Sequence, residues 1–340
     1  MALSLSVKAT TIRLITIGPG DEFWSAFGHT ALAVDNKVYG FGYFSFEDEG
    51  LIHDFLSNQM MYDLGVSNLS DEFALAQWQN RTFIIQNPSF TEAQKDQIKA
   101  YLEWHYLPEN KSYPYDYFLN NCSTKIRDLL DQVMQGELYQ QFNTKSTDNY
   151  FTQTFPAKNQ SLMNLGIVMV YGWHAYQTRT DWELMAFPAY LQKKMAESKL
   201  VNDLDTEVLF VSKSEPAWLQ LIKTHVALIL IFLFSVVLLT FRWSRKAMAH
   251  LNLWVNSTIG WILLLFWLLS AHEVVALNFN LLLFSPLAIL MIWQQFLYKP
   301  LLLGYFLWLL IAAICGAWYL IPLFLINVIC LRVVNGCHIK

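Results

Sequence analysis

The stretch F-L-N-N-C-S-T-K-I-R-D-L-L-D-Q-V-M-Q-G, residues 118–136, decides how the front of the chain is read. Ile126, Leu129, Leu130, Val133 and Met134 recur at i, i+3, i+4, i+7 and i+8, one apolar face of an amphipathic helix. Asn120 and Asn121 are natural N-cap residues, and Gly136 suits the C-terminal stop. The spacing therefore predicts a helix whose first turn carries Cys122. A helix start presents unpaired backbone N–H groups and partial positive charge, and both favour a thiolate. A free cysteine with a pKa of about 8.5 is scarcely ionised at neutral pH, and helix placement with a basic partner lowers that pKa. The same N–H groups can receive an oxyanion.

A thiol nucleophile needs a base. In G-D-E-F-W-S-A-F-G-H-T-A-L-A-V, residues 20–34, His29 opens a strand, and the small neighbours Gly28 and Thr30 leave room beside its ring. A cysteine at a helix start facing a histidine at a strand start is the pairing of papain-type enzymes. Here His29 precedes Cys122, the reverse of papain, which implies a circular permutation. Ser25 and Trp24 come just before His29 and are expected to line the same cleft. Plainer readings stand beside this one: an inert buried thiol and a structural histidine. His29, His53, His105, His174 and Cys122 show no H-x-x-H or C-x-x-C spacing, so no metal or cofactor is expected. Asp21-Glu22 and the run Glu47, Asp48, Glu49 read as solvated turns.

The chain as a whole has 340 residues and splits by composition. A mean hydropathy of +0.29 averages two unlike parts. Residues 1–220 mix polar, charged and aromatic side chains, whereas residues 221–340 are almost wholly apolar up to Val334. The net charge of -4 leaves no basic footprint for nucleic acid. A spanning helix needs roughly 20 apolar residues, and five candidates follow at 222–241, 252–271, 277–296, 301–318 and 320–334. The last two divide near Tyr319 and Pro322 and read as a tight hairpin. Arg242, Arg245 and Lys246 follow the first span, Lys299 the third, and Arg332 and Lys340 the fifth. Basic residues favour the cytoplasmic side. An odd number of spans with a cytoplasmic C-terminus then puts residues 1–220 outside, in the periplasm of a Gram-negative cell or on an equivalent outer face. The opening M-A-L-S-L-S-V-K-A-T-T has no apolar core of signal-peptide length, so either the chain is a processed or trimmed form, which is the favoured expectation, or the topology is inverted. Of the four cysteines only Cys122 lies in residues 1–220. A lone thiol in an oxidising compartment is a liability unless it is buried or used.

Along residues 1–220 the pattern predicts a strand at 11–17 running into Gly-Pro-Gly, a hairpin over 29–44 turning at Asp35-Asn36, and a short helix within 48–60. It predicts a helix at 70–80 capped by Ser70, a strand at 81–88, and a helix from Thr91 to about Tyr106 with Gln94 completing a capping box. Residues 140–215 read as aromatic-rich and irregular, with a short apolar run at 162–171. The segment 181–195 is read either as lying on the bilayer or as packing between the domain and the membrane. His272-Glu273 is expected at the outer end of the second span.

The motifs P-G-D-E-F-W-S-A-F-G-H-T-A-L-A-V, V-Y-G-F-G-Y-F-S-F and N-N-C-S-T with its helix resemble the N-terminal periplasmic domain of Lnb-type lipoprotein N-acyltransferases, over roughly residues 8–195. More distantly they are similar to permuted NlpC-type and lecithin:retinol acyltransferase-like enzymes. The resemblance implies an α+β permuted papain-like domain followed by an all-α transmembrane bundle in the inner membrane. It implies Cys122 as nucleophile and His29 as base, a membrane phospholipid as acyl donor, and a diacylated apolipoprotein as acceptor. Where the family pattern has Asn, this chain has Gly40; Tyr39, Asn120 or a backbone carbonyl is then expected to orient the imidazole, with Asn121 and Ser123 flanking the thiol. Two other activities share the Cys–His pair: an intramolecular lipoprotein transacylase, and a membrane-anchored thiol hydrolase acting on cell wall or phospholipid. A non-catalytic scaffold with a buried Cys122 is a further class.

Overall fold

The hairpin at Asp35-Asn36 anchors the first part of the computed structural model, which describes residues 10–44, 50–155, 161–198, 205–213 and 217–338. Strand β1 (Ile12–Ile17) pairs antiparallel with β2 (His29–Val34), in register from Ile12 opposite Val34 to Ile17 opposite His29. Val34 faces Lys37 across the turn into β3 (Lys37–Tyr43). Asp35 there adopts φ 54°, a left-handed conformation that Asp tolerates better than most residues. After helix α1 (Leu51–Leu56) come β4 (Met61–Asn68), α2 (Leu69–Trp78), β5 (Phe83–Asn87), α3 (Glu92–His105) and β6 (Ser112–Pro114). Helices α4 (Cys122–Val133), α5 (Glu137–Phe142) and α6 (Tyr150–Thr154) follow. The described strands, with β7 (Asp205–Phe210), form one antiparallel sheet in the order β6-β4-β3-β2-β1-β5-β7.

Strand alternation divides the sheet into two faces. Ile15, Ile17, Ala31, Ala33, Val38, Phe83 and Ile85 form one core with Ala76, Leu69 and Phe73 of α2. Residues of the other parity, among them Leu14, Thr30, Leu32, Tyr39 and Phe41, are buried on the opposite face. There the Thr30 hydroxyl meets that of Ser123 on α4 at 2.8 Å. The apolar stripe expected on α4 is buried, Ile126 and Leu130 completely. Helix α4 stops at Met134, where Gln135 (φ 57°) and Gly136 (φ 86°) are both left-handed, so the stop begins one residue before the glycine.

The Thr91–Gln94 capping box forms as read. The expected cap of α2 does not: Asn68 is at the N-cap position, and Ser70, inside the first turn, bonds Asp71 instead. Strands β4 and β6 were not foreseen, nor was β7 within the stretch read as irregular. β4 (M-Y-D-L-G-V-S-N) has too few apolar residues to alternate visibly. Residues 181–195 divide between helices α8 (Asp181–Leu184) and α9 (Pro188–Glu197), introduced after the apolar helix α7 (Ser161–Val170). Phe187 packs its ring against Phe27, Phe118 and Tyr150 within the first unit. Glu47, Asp48 and Glu49 lie outside the described residues.

The chain divides into two units. One comprises Met1–Asn159 with Thr178–Glu215, and the other Gln160–Gln177 with Pro216–Lys340. The expected boundary at residue 220 therefore moves slightly, and the apolar run containing α7 belongs with the second unit. That unit is helical: α10 (Ala217–Thr240), α11 (Arg242–Leu269), α12 (Tyr298–Cys315) and α13 (Ile321–His338). By length and composition three described helices can cross a membrane, Arg242–Leu269, Gln295–Cys315 and Trp318–Gly336; His225–Thr240 is a shorter apolar stretch. Arg242, Arg245 and Lys246 lie in the first turns of α11, not in a loop. Gly316 at φ 73° ends α12, and Pro322 enters α13 at its second residue, as a tight hairpin requires.

The third expected span, 277–296, is not an α-helix. It is a chain of short 3-10 turns, Phe279–Leu282, Ala288–Ile292 and Gln295–Leu297. Its backbone is satisfied by neighbouring side chains. Asn256 of α11 donates to the Leu283 carbonyl (2.9 Å) and accepts from the Ser285 N–H (3.0 Å). Asn327 of α13 donates to the same carbonyl at 3.0 Å, and the Ser257 hydroxyl donates to the Pro286 carbonyl. Gly260 admits the approach, since a Cβ there would lie 2.3 Å from the Phe284 oxygen. Hydropathy registers the length of such a run but not whether its backbone is helical. Irregular backbone survives in a membrane protein where protein buries it and supplies the bonds. Of the expected His272-Glu273 pair, His272 is buried, while Glu273 instead joins His174, 3.2 Å away.

Candidate active site

Cys122 is the first residue of α4. Asn121, the N-cap, accepts from the N–H groups of Ser123 and Thr124, both at 2.9 Å. The Thr124 hydroxyl accepts from the Asn121 N–H, closing the capping box. The Asn121 amide donates to the carbonyls of Tyr117 (2.7 Å) and Ala186 (2.9 Å), so its whole hydrogen-bonding capacity goes to fixing the helix start. The Cys122 sulfur faces the backbone N–H groups of Thr30 and Ser123, its own N–H and the Ser123 hydroxyl. The thiol is only partly accessible. Burial pushes its pKa up by more than these donors bring it down. The expectation of a depressed thiol pKa is thus corrected: desolvation outweighs the helix start.

His29 opens β2 one residue before Thr30. Gly28 precedes it at φ 89°, and a Cβ at that position would stand 2.6 Å from the Ile17 carbonyl, so only glycine delivers the chain here. The His29 ring lies against β3. A Cβ built on Gly40 would be 3.0 Å from Nε2, and one on Gly42 would be 3.4 Å from Cε1. Among the described residues no side chain hydrogen-bonds this imidazole, and it shares no hydrogen bond with Cys122. Burial, reinforced by the nearby positive charge of Arg81, lowers its pKa to about 4. Imidazole and thiol are therefore both neutral across the physiological range.

Arg81 is the functional candidate that the sequence reading missed, having been taken only as the start of β5. Its Nε donates to the Gly18 carbonyl (2.8 Å) and its Nη1 to Gln79 (3.1 Å). Its Nη2 is buried with no partner among the described residues. Its charge acts on both His29 and Cys122. Only the register reveals this: Ile17 pairs with His29 on one side and with Phe83 on the other, which brings residues 81 and 29 to the same end of the sheet.

The remaining expected residues spread around the helix start. Ser123 is buried against Thr30. Tyr39 is buried, with Glu103 and Tyr106 of the α3 end as its charged neighbours. Asn120 donates to the Pro114 carbonyl and pairs through its backbone with Asp116. Ser25 donates to the Glu22 carbonyl and rests against Gly20, as does Arg81. Among the described residues, none of Tyr39, Asn120 and Asn121 shares a hydrogen bond with the imidazole. The motif Y-P-Y-D-Y, 113–117, supplies an aromatic wall that was also missed. Tyr115 stacks on Tyr62 at 3.9 Å and meets Tyr117 edge-on at 5.3 Å. Tyrosines at alternate positions just before the thiol were the available signal. Among the described residues no three of His, Cys, Asp and Glu converge as a metal site would require.

Comparison with curated proteins found no match, and comparison with solved structures found none. Residues 2–155, which contain His29, Arg81, the tyrosine wall and Cys122, match the family model described as the Lnb N-terminal periplasmic domain. Through these residues, a little under half of its length, the chain matches the Lnb-type family.

Proposed function

We propose that the chain is a lipoprotein N-acyltransferase whose N-terminal unit is a permuted papain-like thiol enzyme. The observation that carries this reading is the setting of Cys122: a partly accessible thiol at a capped helix start, ringed by N–H donors, against the strand that begins with His29. The match to the Lnb N-terminal periplasmic domain supports a role in lipoprotein processing, and the apolar helices support action at a bilayer. The soluble unit then faces the periplasm and the helices lie in the inner membrane.

Because thiol and imidazole are both neutral, His29 acts as a general base during attack, not as one half of a preformed ion pair. The Cys122 sulfur attacks the ester carbonyl of a phospholipid while its proton passes to His29. The lysophospholipid oxygen leaves with that proton, and an acyl-thioester remains on Cys122. The α-amine of a diacylglyceryl-cysteine then attacks the thioester, giving its proton to His29, and the thiol is regenerated. Exclusion of water limits hydrolysis of the thioester.

The test is mass spectrometry of a lipoprotein's N-terminal lipopeptide. The host lacks its own N-acyltransferase and expresses this protein or its Cys122→Ser variant. A third chain on the α-amine, absent with the variant, is the expected result. A chain lost from the glyceryl group as the amine gains one would replace the reading with the intramolecular transacylase. An unchanged chain count, with protein made and inserted, would refute N-acylation.

A further inference from the structure

We infer that Thr30 is a positioning residue: its hydroxyl donates to that of Ser123, which turns the Ser123 proton onto the Cys122 sulfur and supports negative charge there as the thiol is deprotonated. This rests on Cys122 being the nucleophile and gives that reading a side-chain donor at the sulfur.

The contact is direct. Thr30 Oγ1 and Ser123 Oγ lie 2.8 Å apart, the length of a hydroxyl–hydroxyl hydrogen bond. Both residues are fully buried, so no solvent competes for either proton. They follow His29 on β2 and Cys122 on α4, so the pair joins the strand of the candidate base to the helix of the nucleophile. The sulfur meets the same two residues, since the N–H groups of both and the Ser123 hydroxyl face it.

The direction of the bond follows from counting protons. Each hydroxyl has one proton to give and lone pairs to accept. If Ser123 donated to Thr30, the Thr30 proton would have no acceptor among the described residues, and the sulfur would lose its side-chain donor. If Thr30 donates to Ser123, the Ser123 proton is left for the sulfur and both protons are used. Buried polar groups rarely go without a partner, which selects the second order. The neighbouring side chains are already committed. The Thr124 hydroxyl accepts from the Asn121 N–H and donates to the Asn121 carbonyl. The Asn121 amide serves Ser123, Thr124, Tyr117 and Ala186. A donor at this sulfur matters because the charge forms where burial opposes it, and a hydrogen bond to an ionised acceptor is stronger than one to a neutral acceptor. The hydroxyl chain transfers no proton and breaks no covalent bond.

The experiment uses the full-length protein in detergent micelles, as wild type, Thr30→Val, Thr30→Ser, Ser123→Ala and the Thr30→Val, Ser123→Ala double variant. Alkylation of Cys122 by iodoacetamide is followed by mass spectrometry of its peptide across the neutral and alkaline range. Melting temperature and acylation by phosphatidylethanolamine are read on the same preparations. The limb of the alkylation profile reports the thiol. Arg81 keeps its charge there, and His29 is neutral above about pH 4. The hydroxyls of Tyr62, Tyr113 and Tyr115, which also act on the sulfur, are raised above the ordinary tyrosine value.

Loss of a hydrogen bond to a charged group is expected to move the limb of Ser123→Ala up by about one pH unit. Alkylation at neutral pH slows about threefold, because a more basic thiolate is also more nucleophilic. Thr30→Val moves the limb in the same direction, and Thr30→Ser leaves it with wild type. The double variant moves no further than Ser123→Ala, because Thr30 acts through Ser123. An unmoved limb in Ser123→Ala or Thr30→Val overturns the inference, as does a further shift in the double variant. A lower melting temperature with an unmoved limb would make the pair a structural tie alone. Should one single variant fail to fold, the other decides. Wild type that alkylates but never acylates would refute the acyltransferase reading and leave this inference to the limb.

Discussion

At the scale of single residues the candidate site keeps charges off. Cys122 is pushed toward the thiol by burial despite its ring of donors, and His29 is held neutral down to about pH 4. The sign for catalysis follows. The base must be unprotonated, so kcat/KM falls as pH drops through about 4, well below the ordinary histidine value of 6.5. Arg81→Gln removes the second cause of that depression and leaves burial in place. The acid limb of the pH profile is expected to move upward; an unmoved limb would show that Arg81 does not act on His29. Stability has the same sign. The unfolded chain takes this proton near pH 6.5 and the folded chain only near 4, so folding weakens as pH falls through that window. That Cys122 would start a helix and His29 a strand was legible from residue type and position alone. Arg81 was not, because its proximity depends on how two strands register against β1.

At the scale of elements the site depends on where one helix starts. Asn121 caps α4 and ties it to two carbonyls, one of them at Ala186, far along the chain. Asn121→Ala is expected to cost about 2–3 kcal/mol, from a lost cap and two lost hydrogen bonds. It should also reduce thiol reactivity, because Cys122 is the next residue; thermal melting and alkylation rate measure the two effects. The helix pattern of α4 and the β2–β3 hairpin were readable because period and turn chemistry agreed. β4 and β7 were not, because half-polar strands are stabilised by their neighbours in the sheet, not by their own pattern. The second unit teaches the same lesson. The apolar run 277–296 has the length of a span, yet it contains Pro286 and relies on Asn256 and Asn327 from other helices. Asn256→Leu leaves the Ser285 N–H unpaired and should destabilise the unit by about 1–2 kcal/mol. Asn327→Leu should act non-additively with it, since both amides serve the Leu283 carbonyl. Melting in detergent of the two single variants and the double variant measures that coupling.

At the scale of the whole molecule, composition separated a soluble part from an apolar one, and the contacts redraw that division only by moving residues 160–177 into the helical unit. The family match covers residues 2–155, the part holding every candidate site residue, while three described helices beyond it are long and apolar enough to cross a membrane. The central claim is that the cysteine at the start of α4 carries an acyl chain during turnover. The direct test is to incubate the full-length protein with phosphatidylethanolamine in micelles without an amine acceptor, digest it, and weigh the peptide containing Cys122. The account predicts a mass increase of one acyl chain on that cysteine, removable by hydroxylamine as a thioester is, and absent from His29→Ala. Turnover of lipoprotein acceptor by a protein whose Cys122 never gains acyl mass, or full activity in Cys122→Ala, would contradict it.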